Sequence, residues 1–203
     1  MNDKNVRLPR LRITSIDTND LSVSFDEPRW IGEGWITCLM PSPGKFVWGR
    51  FISVDADQKT ARFVLDRQED KSLLHCGVEY EYLDGYWGER AELVFDRSRE
   101  WSRMEFKPAD AVEFMLEGKR VRGKLGQKPM VGAESIHRVD GGWDHEHCSI
   151  CWETIGPSEG EQHTGYKDQN DKWVCESCYQ SHVEPRNLNF ITEPQQAAPP
   201  DRR

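Results

Sequence analysis

Two Cys-x-x-Cys pairs, Cys148/Cys151 and Cys175/Cys178, are the residues of this 203-residue chain whose type and spacing most directly specify chemistry. A Cys-x-x-Cys turn aims two thiolates at one point and directs backbone N–H groups toward their sulfurs. Two such turns supply the four soft ligands that a tetrahedral Zn²⁺ requires. The sequence therefore predicts one structural zinc ion on Cys148, Cys151, Cys175 and Cys178. Two other uses of the same residues are a dithiol redox centre and a pair of disulfides. Redox Cys-x-x-Cys motifs usually occur singly, after a strand in a βαβ setting, and no such setting is visible. Disulfides need an oxidising compartment, whereas the chain opens MNDKNVRLPR without an apolar signal segment. Four thiolates also fill the metal's coordination shell, leaving no position for water or substrate, which argues against metal catalysis.

The residues between the pairs carry their own punctuation. Gly165-Tyr166-Lys167 and Lys172-Trp173-Val174 read as strands around the turn Asp168-Gln169-Asn170-Asp171. Residues 176–183 read as a short helix stopped by Pro185, with Cys178 in its first turn, where free N–H groups favour a thiolate. The segments CSIC and GYKDQNDKWVCESCY resemble the zinc-knuckle halves of the LIM and related treble-clef families. This resemblance covers about a fifth of the chain and implies a structural class, a knuckle, hairpin and helix around one zinc ion, without implying one function. A LIM domain would need a second ligand quartet, which the sequence lacks.

Four histidines, His145, His147, His163 and His182, lie in or beside this module. They read as surface residues, with replacement of a cysteine ligand or binding of a second metal left open. Cys38 sits in an apolar run and reads as a small buried hydrophobe. His75 and Cys76 are neighbours on one strand and point to opposite faces, so they form no dyad. No Gly-rich phosphate loop, nucleophile elbow or His-Glu-x-x-His helix occurs, and no catalytic or cofactor-binding residues are assigned. Aromatic residues in 79–89, with Trp30 and Trp35, suit either recognition or cross-strand packing.

The charge is −8, and its distribution is uneven. Residues 143–193 hold ten acidic residues against Lys167, Lys172 and Arg186. Such a module would repel phosphates; its surplus acid suits either solubility or a basic partner, and the reading is a non-catalytic protein-interaction or adaptor factor with a protein partner. Its most concrete form is a small acidic bacterial protein of the immunity type, masking a basic partner. The alternative is nucleic-acid binding by a basic face of the β-domain, through Arg50, Arg62, Lys119, Arg120, Arg122 and Lys124. No apolar run approaches the roughly 18–20 residues of a membrane span, and the expected location is cytoplasmic.

The elements that must position these residues read mainly as short strands. Leu11-Ile13 and Leu21-Val23-Phe25 alternate around a turn at 18–20, and 35–40 is an apolar strand. Residues 46–54 and 60–65 form a hairpin around 55–59. Residues 78–83 and 90–95 also read as strands, and 98–106 is ambiguous. Residues 111–116 and 120–125 suggest a hairpin turning at Gly118, with a helix over 109–117 as the competitor. A short strand over 136–139 precedes Asp140-Gly141-Gly142, read as a boundary. The expected organisation is a flexible arm (1–10), a β-rich domain (11–140), a zinc-binding module (143–190) and a disordered tail (191–203). The fold class is mainly β: an antiparallel sandwich or small barrel followed by a small treble-clef-like zinc module.

Overall fold

The computed structural model describes residues 7–126, 132 and 134–191. The chain is mainly β, with a closed six-stranded barrel and a C-terminal cysteine cluster. It divides into two compact units, Met1–Asp96 with Arg186–Arg203, and Arg97–Pro185.

Alternation builds the barrel. Strands β1 (Arg10–Asp17), β2 (Asp20–Phe25), β3 (Ile36–Ser42), β4 (Lys45–Asp55), β5 (Thr60–Leu65) and β6 (Glu79–Asp84) close in the order β1-β2-β5-β4-β3-β6. Leu11, Ile13, Leu21, Val23, Val47, Phe51, Phe63 and Tyr82 point inward and are fully buried. Register shifts at Ile13/Ser15 in β1 and at Phe51/Ser53 in β4 bend the strands toward closure. Because β6 pairs with both β3 and β1, the barrel leaves no open edge.

The strand expected over 90–95 is instead the end of a helix, α1 (Gly85–Phe95). The Asp84 side chain accepts the Trp87 backbone N–H at 2.8 Å and caps it. Gly88, Ala91 and Val94 then recur at helical spacing on its buried face. At Gly88 a Cβ would lie 2.7 Å from the Trp48 ring and 2.8 Å from Cys38 Cβ, so only glycine permits this approach. Tyr80 and Tyr82 are buried in the barrel, and Trp87 packs against its core and against Phe190. Tyr80, Tyr82 and Trp87 thus serve packing.

The ends of the chain also differ from expectation. Leu8 packs on the barrel core, and the Pro9 carbonyl accepts the Tyr82 N–H at 3.1 Å, so this part of the expected arm is docked. After the cysteine-bearing unit, the chain returns to the barrel, where Leu188 and Phe190 pack and Ile191 is fully buried. Ile191 therefore does not belong to a disordered tail. The remainder of the expected arm (1–6) and tail (192–203) lies outside the described residues.

The second unit begins well before the expected boundary. It contains β7 (Ser102–Glu105), β8 (Ala109–Leu116), β9 (Lys119–Lys124), β10 (Glu134–Trp143), β11 (Glu146–His147), β12 (Thr154–Ile155), β13 (Thr164–Lys167), β14 (Trp173–Cys175) and the single-turn helix α2 (Glu176–Cys178). The hairpin at Gly118 is present as β8–β9, and β8 excludes the helix over 109–117. Gly141 and Gly142 form no linker. Strand β10 runs through them, pairing Val139 with Ala111 and Trp143 with Ala109 across an irregular register. Gly141 takes a positive φ of 63°, and its N–H donates to Asp110 Oδ1 at 3.0 Å. Two adjacent glycines mark a β-bulge here. The division at 96/97 thus replaces the one expected at 140–143, and β7 to β10 belong with the cysteines.

Candidate metal centre

The four cysteines predicted as ligands come together. Their sulfurs all lie within 4.8 Å of one another, and Cys151 Sγ is 3.7 Å from Cys175 Sγ. This is the one group of three or more metal-competent side chains among the described residues, and it contains no histidine. None of the cysteines is disulfide-bonded.

Local backbone geometry explains the convergence. At the first pair the chain reverses tightly: the Trp152 N–H donates to the Cys148 carbonyl at 2.9 Å, and Trp152 adopts a φ of 68°. The Cys148 N–H donates to Glu153 O at 2.8 Å and the Ser149 N–H to Trp173 O at 2.8 Å, which ties this turn to β14. The Ile150 N–H points at Cys148 Sγ at 3.4 Å. The second pair repeats the device: Cys175 caps α2, its sulfur accepting the Cys178 N–H at 3.4 Å. A wider π turn, Tyr179–Val183, continues the helix and completes the segment expected over 176–183.

The donor set fits a soft or borderline divalent cation. Hydrogen bonds from Cys175 and Cys178 hold the Cys148 thiol below the usual thiol range. The bond to Cys148 pushes Cys175 up to about 12 and raises Cys178 as well. Four sulfurs this close share little negative charge without a cation between them. Metal loading must therefore expel protons, and binding should strengthen as pH rises.

The hairpin carrying Cys175 is fixed by residues outside the cysteine motif. Asp168 is buried in the turn between β13 and β14. Its Oδ1 accepts the N–H groups of Asn170 at 2.9 Å and Lys172 at 2.8 Å. Its Oδ2 pairs with Arg99. Gln169 bonds both sides of residues 98–100, accepting the Glu100 N–H at 2.9 Å and donating to Ser98 O at 3.1 Å. Strand β7 then adds to β13, and Phe106 meets Trp173 edge-on at 5.8 Å. Sequence reading missed this supporting strand. Arg99, Gln169 and β7 have no local signal, since their partners lie about sixty to seventy residues away.

The other sequence candidates are dispersed. Cys38 is fully buried, and desolvation pushes its thiol well up. Cys76 is exposed and donates to Thr14 O at 3.0 Å. Native protein loaded with metal is expected to show one fast-reacting thiol, Cys76. A chelator should expose the four cluster thiols, and Cys38 should react only after denaturation. Thiol titration with a chromogenic disulfide checks the order; a fast reaction of five thiols before chelation would contradict it. His145 and His147 lie beside each other at the start of the knuckle, and neither they nor His163 and His182 join the sulfur group. The basic residues weighed for nucleic acid are mostly neutralised. Arg62 pairs with Asp20, Arg50 with Asp66, Arg120 and Arg122 with Glu113, and Lys124 with Asp171.

A barrel unit and a unit built around a four-cysteine cluster capable of holding a metal ion define the protein. No protein-family model matches the chain, and no curated protein or solved structure matches it. No helix among the described residues is long and apolar enough to cross a membrane.

Proposed function

We propose that Cys148, Cys151, Cys175 and Cys178 hold one structural Zn²⁺ in a treble-clef-like module, and that the chain is a non-catalytic cytoplasmic protein-interaction factor. The observation that carries this reading is the closed convergence of four sulfurs. A tetrahedron of Zn–S bonds near 2.3 Å places its sulfurs roughly 3.8 Å apart, close to the Cys151–Cys175 separation of 3.7 Å. The order of knuckle, β13–β14 hairpin and α2 supports the treble-clef comparison. With four sulfur ligands the ion's role is to fold the module, and no exchangeable position remains for catalysis.

Charge supports a basic protein as partner. No Lys or Arg occurs between Arg138 and Lys167, while Asp144, Glu146, Glu153, Glu159 and Glu161 do. Among the described residues Glu153, Glu159 and Glu161 have no cationic partner, in contrast to the paired bases elsewhere. Such a surface speeds encounter with a basic partner and disfavours nucleic acid. Masking of a toxic basic protein, as immunity proteins do, is its most concrete form.

The test is affinity capture from the native host at low and moderate salt, with a Glu153→Gln/Glu159→Gln/Glu161→Gln variant alongside. The expected result is a basic protein that elutes with salt and is lost with the variant. Nucleic acid eluting with the wild-type chain, and equally with the variant, would favour the alternative reading.

A further inference from the structure

His145 and His147 precede the first cysteine pair and are not used by the sulfur cluster. They stand two apart on an extended segment that enters β11, so their side chains project to one side. Their ring centroids are 4.9 Å apart and their planes meet at 78°. Both rings are exposed.

Each imidazole is anchored through the same atom. His145 Nδ1 lies 2.7 Å from Asp144 Oδ1, and His147 Nδ1 lies 3.2 Å from the Trp152 carbonyl oxygen. A carbonyl only accepts, so His147 carries its proton on Nδ1 when neutral. The carboxylate of Asp144 imposes the same tautomer on His145. The proton-free nitrogen of both rings is then Nε2, and neither Nε2 has a hydrogen-bond partner among the described residues. A carboxylate or backbone carbonyl holding Nδ1–H, with the Nε2 lone pair presented to solvent, is how histidine ligands are commonly oriented for a metal. The Trp152 carbonyl that meets His147 lies in the knuckle turn, where Trp152 takes a positive φ. The turn that forms the cysteine site thus also orients His147.

We propose that His145 and His147 form a second metal site, a two-imidazole site for a borderline divalent transition-metal ion such as Ni²⁺, Cu²⁺ or Zn²⁺. Imidazole suits these ions, whereas Mg²⁺ and Ca²⁺ prefer oxygen. Only two protein ligands meet here, so water completes the shell and the ion is exchangeable. Glu161, whose carboxylate lies across the bare Cα of Gly156 from His145 Cβ, adds negative charge nearby. The chain would then hold one permanent ion on sulfur and one labile ion on nitrogen.

The probe is Ni²⁺ titrated into the full-length, zinc-loaded protein by calorimetry, with zinc content measured before and after the titration. Wild type should take up one Ni²⁺ per chain without losing zinc. His145→Gln and His147→Gln should each abolish this uptake, and Asp144→Ala should weaken it about tenfold or more by freeing the ring. His137→Gln/His163→Gln should leave it unchanged. Paramagnetic broadening of imidazole resonances supplies a readout that needs no substitution, and His145 and His147 should broaden first. Absence of nickel uptake, its persistence in the His145→Gln/His147→Gln double variant, or an equivalent loss of zinc would overturn the proposal.

Discussion

Stripping the metal from the intact chain should unfold the cysteine-bearing hairpin and leave the barrel folded. Structural zinc contributes on the order of 10 kcal/mol in modules of this kind. The elements around the cluster are short: β14 is three residues long, α2 is one turn and β12 has two residues, with Ile150, Ile155, Trp173, Val174 and Val183 as the buried apolar side chains beside the sulfurs' segments. The barrel instead buries Phe51, Phe63, Tyr82 and the aliphatic residues of all six strands, and closes without an edge. Hydrogen exchange after chelation should therefore show protection lost from β13, β14 and α2, while β1 to β6 stay protected. Strand β7 should lose protection as well, because its ladder is made with β13. Lowering the pH should act like the chelator, since protons compete with the metal for the thiolates. Protection that persists in β13–β14 without metal would show that the ion is not structural.

Breaking the buried ion pair should have the second-largest effect. Asp168 is fully buried at its side chain and Arg99 partly buried, and the carboxylate also closes the hairpin turn. Removing Asp168 takes away the carboxylate that faces Arg99 and both turn acceptor bonds at once, and the loss should approach the lower end of the about 3–5 kcal/mol typical of a broken buried pair. Asp168→Ala should thus destabilise the hairpin that presents Cys175 and lower metal affinity without touching a ligand. Asp168→Asn keeps an acceptor for the turn and should lose less. Competition with a chromogenic chelator measures both; metal affinity unchanged in Asp168→Ala would remove Asp168 and Arg99 from the account of the site.

What the sequence revealed followed from local signals. Alternation in 11–25 and the β-branched and aromatic arms of 46–54 and 60–65 located four barrel strands, and the Cys-x-x-Cys spacing located the cluster. Helix α1 was hidden because Ala91, Leu93 and Phe95 also alternate. The informative residue was Asp84, a cap just before Gly85. Strand β7 is exposed along its whole length and carries no apolar face, so only its partner β13 defines it. Gly141-Gly142 reads as a boundary because glycine pairs mark both linkers and bulges, and only the pairing of β10 with β8 separates the two. Ile191 was grouped with a polar tail, although Leu188, Phe190 and Ile191 form an apolar group that packs on the barrel.

The central claim is a closed shell of four sulfurs around one metal ion. X-ray absorption at the metal edge of the protein, dialysed first to remove labile metal, tests it most directly. The account predicts one zinc ion per chain with four sulfur neighbours at roughly 2.3 Å and no lighter ligand. A shell containing oxygen or nitrogen in place of one sulfur would mean an open or mixed site and would contradict the structural, non-catalytic assignment.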